Sequence, residues 1–130
     1  MIQPEWPFRT RVEEVAVAGL QDWTSASFLL TLVAEGPTPP AEGDLGPSCL
    51  GVVAWMVLGG LAELGDVRDG FQPWLGTPAE CVDRAVRSWI ASGGPHDLGD
   101  LFWLRNTAAG HELGRAVLAR EGVEPPASKG

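Results

Sequence analysis

The feature that most constrains this fold is an uncharged segment in the middle of the chain. Residues Ser48 to Gly60, SCLGVVAWMVLGG, contain no Asp, Glu, Lys, Arg or His. The composition predicts a helix that begins at Ser48 as N-cap and ends at the paired glycines. The apolar run is shorter than the roughly 20 residues needed to cross a bilayer. A helix that is apolar on every side is either the buried centre of a domain or an interaction surface.

The size of the chain leaves both interpretations open. The 130 residues, of which 45% are hydrophobic and 20% charged, are typical of one globular domain. We expect it to span residues 1–121, with a loose Pro-rich tail at 122–130. Because so small a domain cannot easily bury a helix on all sides, part of Trp55 or Met56 should lie near the surface. The predicted protein-interaction residues are Leu50, Val53, Trp55, Met56 and Trp74.

Two helices are predicted before the uncharged segment. The first begins at Thr10, where TRVE matches a capping box completed by Glu13. The second takes Thr24 or Ser25 as its cap and stops before Gly36. The stretch 36–47, which is rich in Pro and Gly, then forms an unusually long loop.

A β-hairpin is predicted after the uncharged helix, at about 61–75. Asp69 and Gly70 supply the positive φ angles of a tight turn between two short strands. Pro73 cannot donate to a sheet ladder, which places the second strand at an edge. A further short strand is expected near 100–105, around Leu101 to Leu104.

The remaining two helices have clear N-terminal signals. TPAE gives Thr77 as cap and Glu80 as the closing residue of a capping box. Its expected buried stripe is Val82, Ala85, Val86, Trp89 and Ile90. Thr107 caps the last helix, which has an apolar stripe of Leu113, Ala116 and Val117, and in which Gly110 and Gly114 leave one side bare for a close neighbour. The predicted fold class is α+β, mostly helical, with about five helices.

The order of these elements resembles a winged-helix domain, the helix-turn-helix variant in which a hairpin follows the third helix. The resemblance lies in VVAWMVLGGLAELGDVRDGFQPW and in LFWLRNTAAGHELGRAV, where a strand runs into Thr-x-x-Gly and a final helix. It covers roughly residues 10–118. It implies a fold and a class that includes bacterial regulators, and it supports fold more than function.

Nucleic-acid binding is weakly supported. The net charge is −8, whereas affinity for phosphate backbones rests on basic side chains. The uncharged helix occupies the recognition position and offers no Arg, Lys, Asn or Gln to read bases. The best nucleic-acid candidates are Arg84, Arg87 and Arg105. A solvated helix face with an Asp83–Arg87 pair is the preferred interpretation.

No catalytic or metal motif emerges. HELGR at His111 departs from the zinc motif H-E-x-x-H because Arg115 replaces the second histidine, and a guanidinium repels cations. His96, Cys49 and Cys81 have no metal-ligand spacing. Because a nucleophile elbow and a phosphate-binding loop are also missing, we expect a protein without a cofactor that is not an enzyme.

The favoured hypothesis is therefore a non-catalytic, winged-helix-like module that binds another protein or a second copy of itself. The alternatives are a DNA-binding regulator that uses the arginine patch, and a small-molecule sensor with a Trp-lined pocket. Unpaired cysteines favour the cytoplasm, and no membrane partner is expected. The tryptophans are Trp6, Trp23, Trp55, Trp74, Trp89 and Trp103.

Overall fold

A computed structural model of the chain describes residues 8–93 and 101–126. This part contains five helices and four strands, which confirms an α+β, mostly helical fold. The elements are α1 (Arg11–Ala18), β1 (Thr24–Ser25), α2 (Ala26–Glu35), α3 (Leu45–Leu58), β2 (Ala62–Val67), β3 (Phe71–Pro73), α4 (Pro78–Ala91), β4 (Trp103–Asn106) and α5 (Ala108–Arg120).

Hydroxyl side chains fix four of the helix starts. Thr10 and Thr77 each accept a hydrogen bond from the backbone N–H three residues later, and the glutamate there accepts one from the cap backbone. Both predicted capping boxes are confirmed. Ser25 caps α2, and Thr107 caps α5 as predicted.

The start of α3 was predicted wrongly. This helix begins at Leu45, behind Asp44, and Ser48 lies inside it. The side chain of Asp44 makes no capping hydrogen bond. Pro47 is tolerated because the N–H groups of a first helical turn have no intrahelical acceptor, so its missing donor costs nothing there.

The four strands form one antiparallel sheet in the order β1-β4-β2-β3. The predicted hairpin joins β2 to β3, with φ of 51° at Asp69 and 109° at Gly70. Pro73 lies in edge strand β3 as predicted. Strand β4 begins two residues later than expected, because its pairing with β1 and β2 reaches only to Trp103. Phe102, which is fully buried, accepts a hydrogen bond from Ala26 N–H.

The core lies around α3, which contacts α1, α2, α4 and β2. Side chains from the helices meet Leu64 and Leu104 on the inner face of the sheet. The ring of Trp89 stacks on Phe102 with centroids 6.3 Å apart. Within the described residues, no helix is long and apolar enough to cross a membrane.

Helices α1 and α5 pack very closely, as the two glycines predicted. A Cβ atom on Gly114 would lie 2.8 Å from the carbonyl oxygen of Ala16, and one on Gly110 would collide with that of Leu61. Because this bare side faces α1, the apolar stripe is rotated from the predicted one: Leu118 is buried and Ala116 is exposed.

The buried stripe of α4 also differs from the prediction. Cys81, Ala85 and Trp89 are buried at intervals of four residues, whereas Val82 and Val86 are half-buried. Ile90 is 70% exposed, so its predicted burial is wrong. The core contact of this helix follows one narrow row, and Ile90 lies outside that row.

Candidate protein-interaction surface

A wide groove runs between the start of α1, the outer face of α3 and the middle of α5. Its volume is about 860 Å³. Its apolar lining consists of Phe8, Val12, Val52, Trp55, Leu61 and Leu113. We call it the α3 groove.

The exposed side chains around the α3 groove are large and apolar. Phe8 is 79% exposed, Trp55 70% and Leu58, at the end of α3, 58%. On the opposite side of α3, Val53 and Met56 are completely buried. This division follows from helix geometry, because residues three and four apart share a face.

The predicted interaction residues therefore separate into two groups. Trp55 lies on the surface, which confirms the expectation for that residue, and Leu50 is half-buried. Val53, Met56 and Trp74 are buried and cannot contribute to a free surface. They were included because an entirely apolar helix gives no sign of which face points inward.

Sequence reasoning missed several residues of this surface. Gly51 and Leu58 share the outer face of α3 with Trp55, and Phe8 approaches from the segment before α1. In α3 the sequence signal identifies residues that share a face but not whether that face is exposed: Ser48, Gly51, Trp55 and Leu58 are spaced by three, four and three residues, and the buried Cys49, Val53 and Met56 have a similar spacing. No comparable signal points to Phe8.

The charges beside the α3 groove are mostly neutralised within the chain. Arg9 donates to both carboxylate oxygens of Glu121 at 2.6 and 2.7 Å, and this contact raises the pKa of the guanidinium. Arg120 donates to Glu13 at 2.9 Å and thereby lowers the pKa of that carboxyl. Arg11 donates only to the carbonyl oxygen of Thr38, at 2.8 and 3.2 Å.

Arg11 is therefore a cation at the groove that has no ion-pair partner within the described residues. Helix α3 itself carries no charged side chain. In a chain of net charge −8, this face is neutral to weakly positive.

The three arginines considered for nucleic acid all have acidic neighbours. Arg87 lies 2.8 Å from Asp83, which confirms the predicted pair, and the Arg105 guanidinium lies 2.9 Å from Glu63. The third one, Arg84, is 4.0 Å from Asp66 and stacks 3.9 Å above the ring of Trp74. Carboxylates this close offset the positive potential that a phosphate backbone would need.

Both thiols are free and buried. Burial raises the pKa of Cys49 to about 11, so it stays a neutral thiol at physiological pH. Cys81 is buried with its Sγ 3.7 Å from the carbonyl oxygen of Leu75. In residues 8–93 and 101–126, no three His, Cys, Asp or Glu side chains cluster as a metal site would require. His96 lies outside the described residues.

Three cavities each contain one tryptophan. Trp55 lines the α3 groove, Trp89 lines a cavity of about 530 Å³ beside the loop before α3, and Trp74 lines one of about 250 Å³. The sensor hypothesis envisaged tryptophans grouped around one ligand. These three tryptophans instead line separate cavities.

Comparisons of the chain with protein-family models, with curated proteins and with solved structures gave no match. The winged-helix resemblance accordingly stays a prediction based on motifs and element order. The structure contains the expected succession of three helices and a hairpin, with β4 paired between β1 and β2.

Proposed function

We propose that this protein is a non-catalytic interaction module that binds a protein partner on the α3 groove. The observation that carries the proposal is the exposure of Trp55 and Phe8, at 70% and 79%, beside a helix without charged side chains. Tryptophan is the residue type most enriched among those that dominate protein-protein binding energies.

The size of the patch supports a binding role. An aromatic side chain presents about 200 Å², so Phe8 and Trp55 leave roughly 300 Å² of apolar surface exposed. The largest apolar patch on a typical monomer measures about 300–600 Å² and is often functional. Leu58 enlarges the patch along α3.

The shape and charge of the α3 groove further favour a protein partner. Its apolar floor can accept side chains of a partner, while the unpaired Arg11 at the rim can bind a carboxylate or a carbonyl group. Apolar centres with a few polar groups at the rim are typical of protein interfaces. Buried, protonated Cys49 supports a non-catalytic role.

A cytoplasmic location is part of the proposal. Cys49 and Cys81 are both free and buried, as is usual for cysteines of a reducing compartment.

Site-specific photo-crosslinking tests the proposal with a conservative probe. The full chain is produced in its native cells with p-benzoylphenylalanine in place of Phe8, and irradiation should give a discrete protein adduct. The matched control carries the same probe at Phe28, which is 47% exposed on α2 and does not line the groove. Adducts should form from position 8 and not from position 28. Absence of an adduct at position 8, or equal yields at both positions, would refute the proposed surface.

A further inference from the structure

We infer that the partner is a second copy of this chain, docked about a two-fold axis with the two α3 helices antiparallel; this inference rests on the proposed function. The first reason is that the exposed face of α3 holds both a projection and a notch. Trp55 projects from it, 70% exposed. Gly51, one turn earlier, faces open space, because a Cβ atom there would meet nothing within 4 Å.

Two-fold symmetry makes this face complementary to itself. When two copies of α3 cross antiparallel about a point midway between residues 51 and 55, Trp55 of each copy meets Gly51 of the other. The same operation places Ser48 opposite Leu58. One rotation therefore pairs each large side chain with a small one, Trp55 with Gly51 and Leu58 with Ser48. The spacing of these residues is that of a helix-packing seam.

The exposed apolar side chains supply about half of the area that a stable dimer buries. With about 200 Å² for each large side chain, Phe8, Trp55 and Leu58 offer on the order of 400 Å² per copy. Stable complexes bury about 800 Å² per partner. Val12 and Leu61, which are half-buried along the walls of the α3 groove, extend the contact toward that value.

The distribution of charge also selects this face. Two chains of net charge −8 repel each other. Helix α3, at the centre of the proposed contact, has no charged side chain, and of the three charged residues that line the α3 groove, Arg9, Arg11 and Glu13, two are cations. Added salt should therefore strengthen the dimer, because it screens the net repulsion while the apolar contact persists.

Sedimentation velocity on the purified full chain tests the inference with three variants. Gly51→Leu is the decisive one. The leucine side chain has room on the surface, so the variant should fold. Because the variant surface is more apolar, nonspecific association would increase. A specific dimer would instead be weakened, because the leucine fills the notch that Trp55 enters. Trp55→Ala removes the projection, and Ile90→Ala removes a residue on α4 with the same 70% exposure as Trp55. Circular dichroism verifies that each variant is folded.

The expected result is a wild-type dimer that dissociates on dilution. Gly51→Leu and Trp55→Ala should each weaken it about 30-fold or more, as for residues at the centre of an interface, whereas Ile90→Ala should leave it unchanged. A wild-type chain that stays monomeric at millimolar concentration overturns the inference, as does a dimer that Gly51→Leu leaves intact.

The crosslinking experiment separates this inference from the proposed function. An adduct of position 8 with twice the mass of the chain supports both. An adduct with a different protein, together with a monomeric purified chain, overturns the second-copy inference and leaves the proposed binding surface standing. Failure to crosslink at position 8 removes both.

Discussion

Replacing Gly114 by alanine measures how closely α1 and α5 pack. The new Cβ would lie 2.8 Å from the Ala16 carbonyl oxygen and 3.0 Å from Leu20 Cγ, whereas ordinary contacts begin at 3.4 Å. The helices would have to separate by about half an ångström, and overpacking of this kind costs about 1–3 kcal/mol. The higher helix propensity of alanine returns about 1 kcal/mol. The net effect should be a free energy of unfolding that is lower by up to about 2 kcal/mol, instead of the gain expected from helix propensity alone.

Equilibrium unfolding in urea provides the assay, at protein concentrations low enough that association contributes nothing. The matched control is Gly51→Ala, the same substitution in α3 at a position where the new Cβ meets no atom within 4 Å. It should raise the free energy of unfolding by about 1 kcal/mol. If Gly114→Ala stabilises the protein as much as Gly51→Ala does, the close approach of α1 and α5 is refuted.

Three further perturbations follow from local contacts. Thr77→Ala removes a capping hydroxyl and should lower the free energy of unfolding by about 1 kcal/mol. The control is the exposed mid-helix Thr31→Ala, which should not lower it because alanine has the higher helix propensity; equal losses would contradict the capping role. The pKa of Glu13 is lowered chiefly by its hydrogen bond from Arg120. The contribution of this ion pair to the free energy of unfolding is therefore present above the pKa of the unfolded chain and is lost as the pH falls below about 4.3. Glu13→Gln, which preserves the capping box, should lower stability at pH 7 and flatten the acid limb of a pH titration; an unchanged acid limb would exclude the pair. Cys49, buried with a pKa of about 11, should resist iodoacetamide at pH 7.5 until the chain is unfolded, and rapid labelling of the native protein would contradict its burial.

Four of the helix starts were readable in the sequence because the chemistry of a hydroxyl cap is local. A capping box is complete within four residues, so Thr10 and Thr77 could be identified without any knowledge of the rest of the chain. The turn at Asp69 and Gly70 is equally local. Gly110 and Gly114 predicted a close neighbour, although the sequence did not indicate that it would be Leu61, just before β2, for the first glycine and α1 for the second.

The errors lie where a decision depends on residues distant along the chain. β4 pairs with β1 and β2, from which it is separated by several elements, and this pairing sets its first residue. The start of α3 at Leu45 has no capping signal. Ile90 fits the apolar stripe of α4 yet lies outside the contact that tertiary packing selects.

The sequence by itself determined that the middle of this protein is an uncharged helix, and it predicted that part of Trp55 or Met56 would lie near the surface. It could not determine which face of that helix is buried, because apolar residues lie on every side and no polar face marks the side that points to solvent. Only the contacts of α3 with α1, α2, α4 and β2 turned Val53 and Met56 inward. The same contacts left Gly51 and Trp55 on the outside, beside a groove whose other wall comes from helices far away in the sequence.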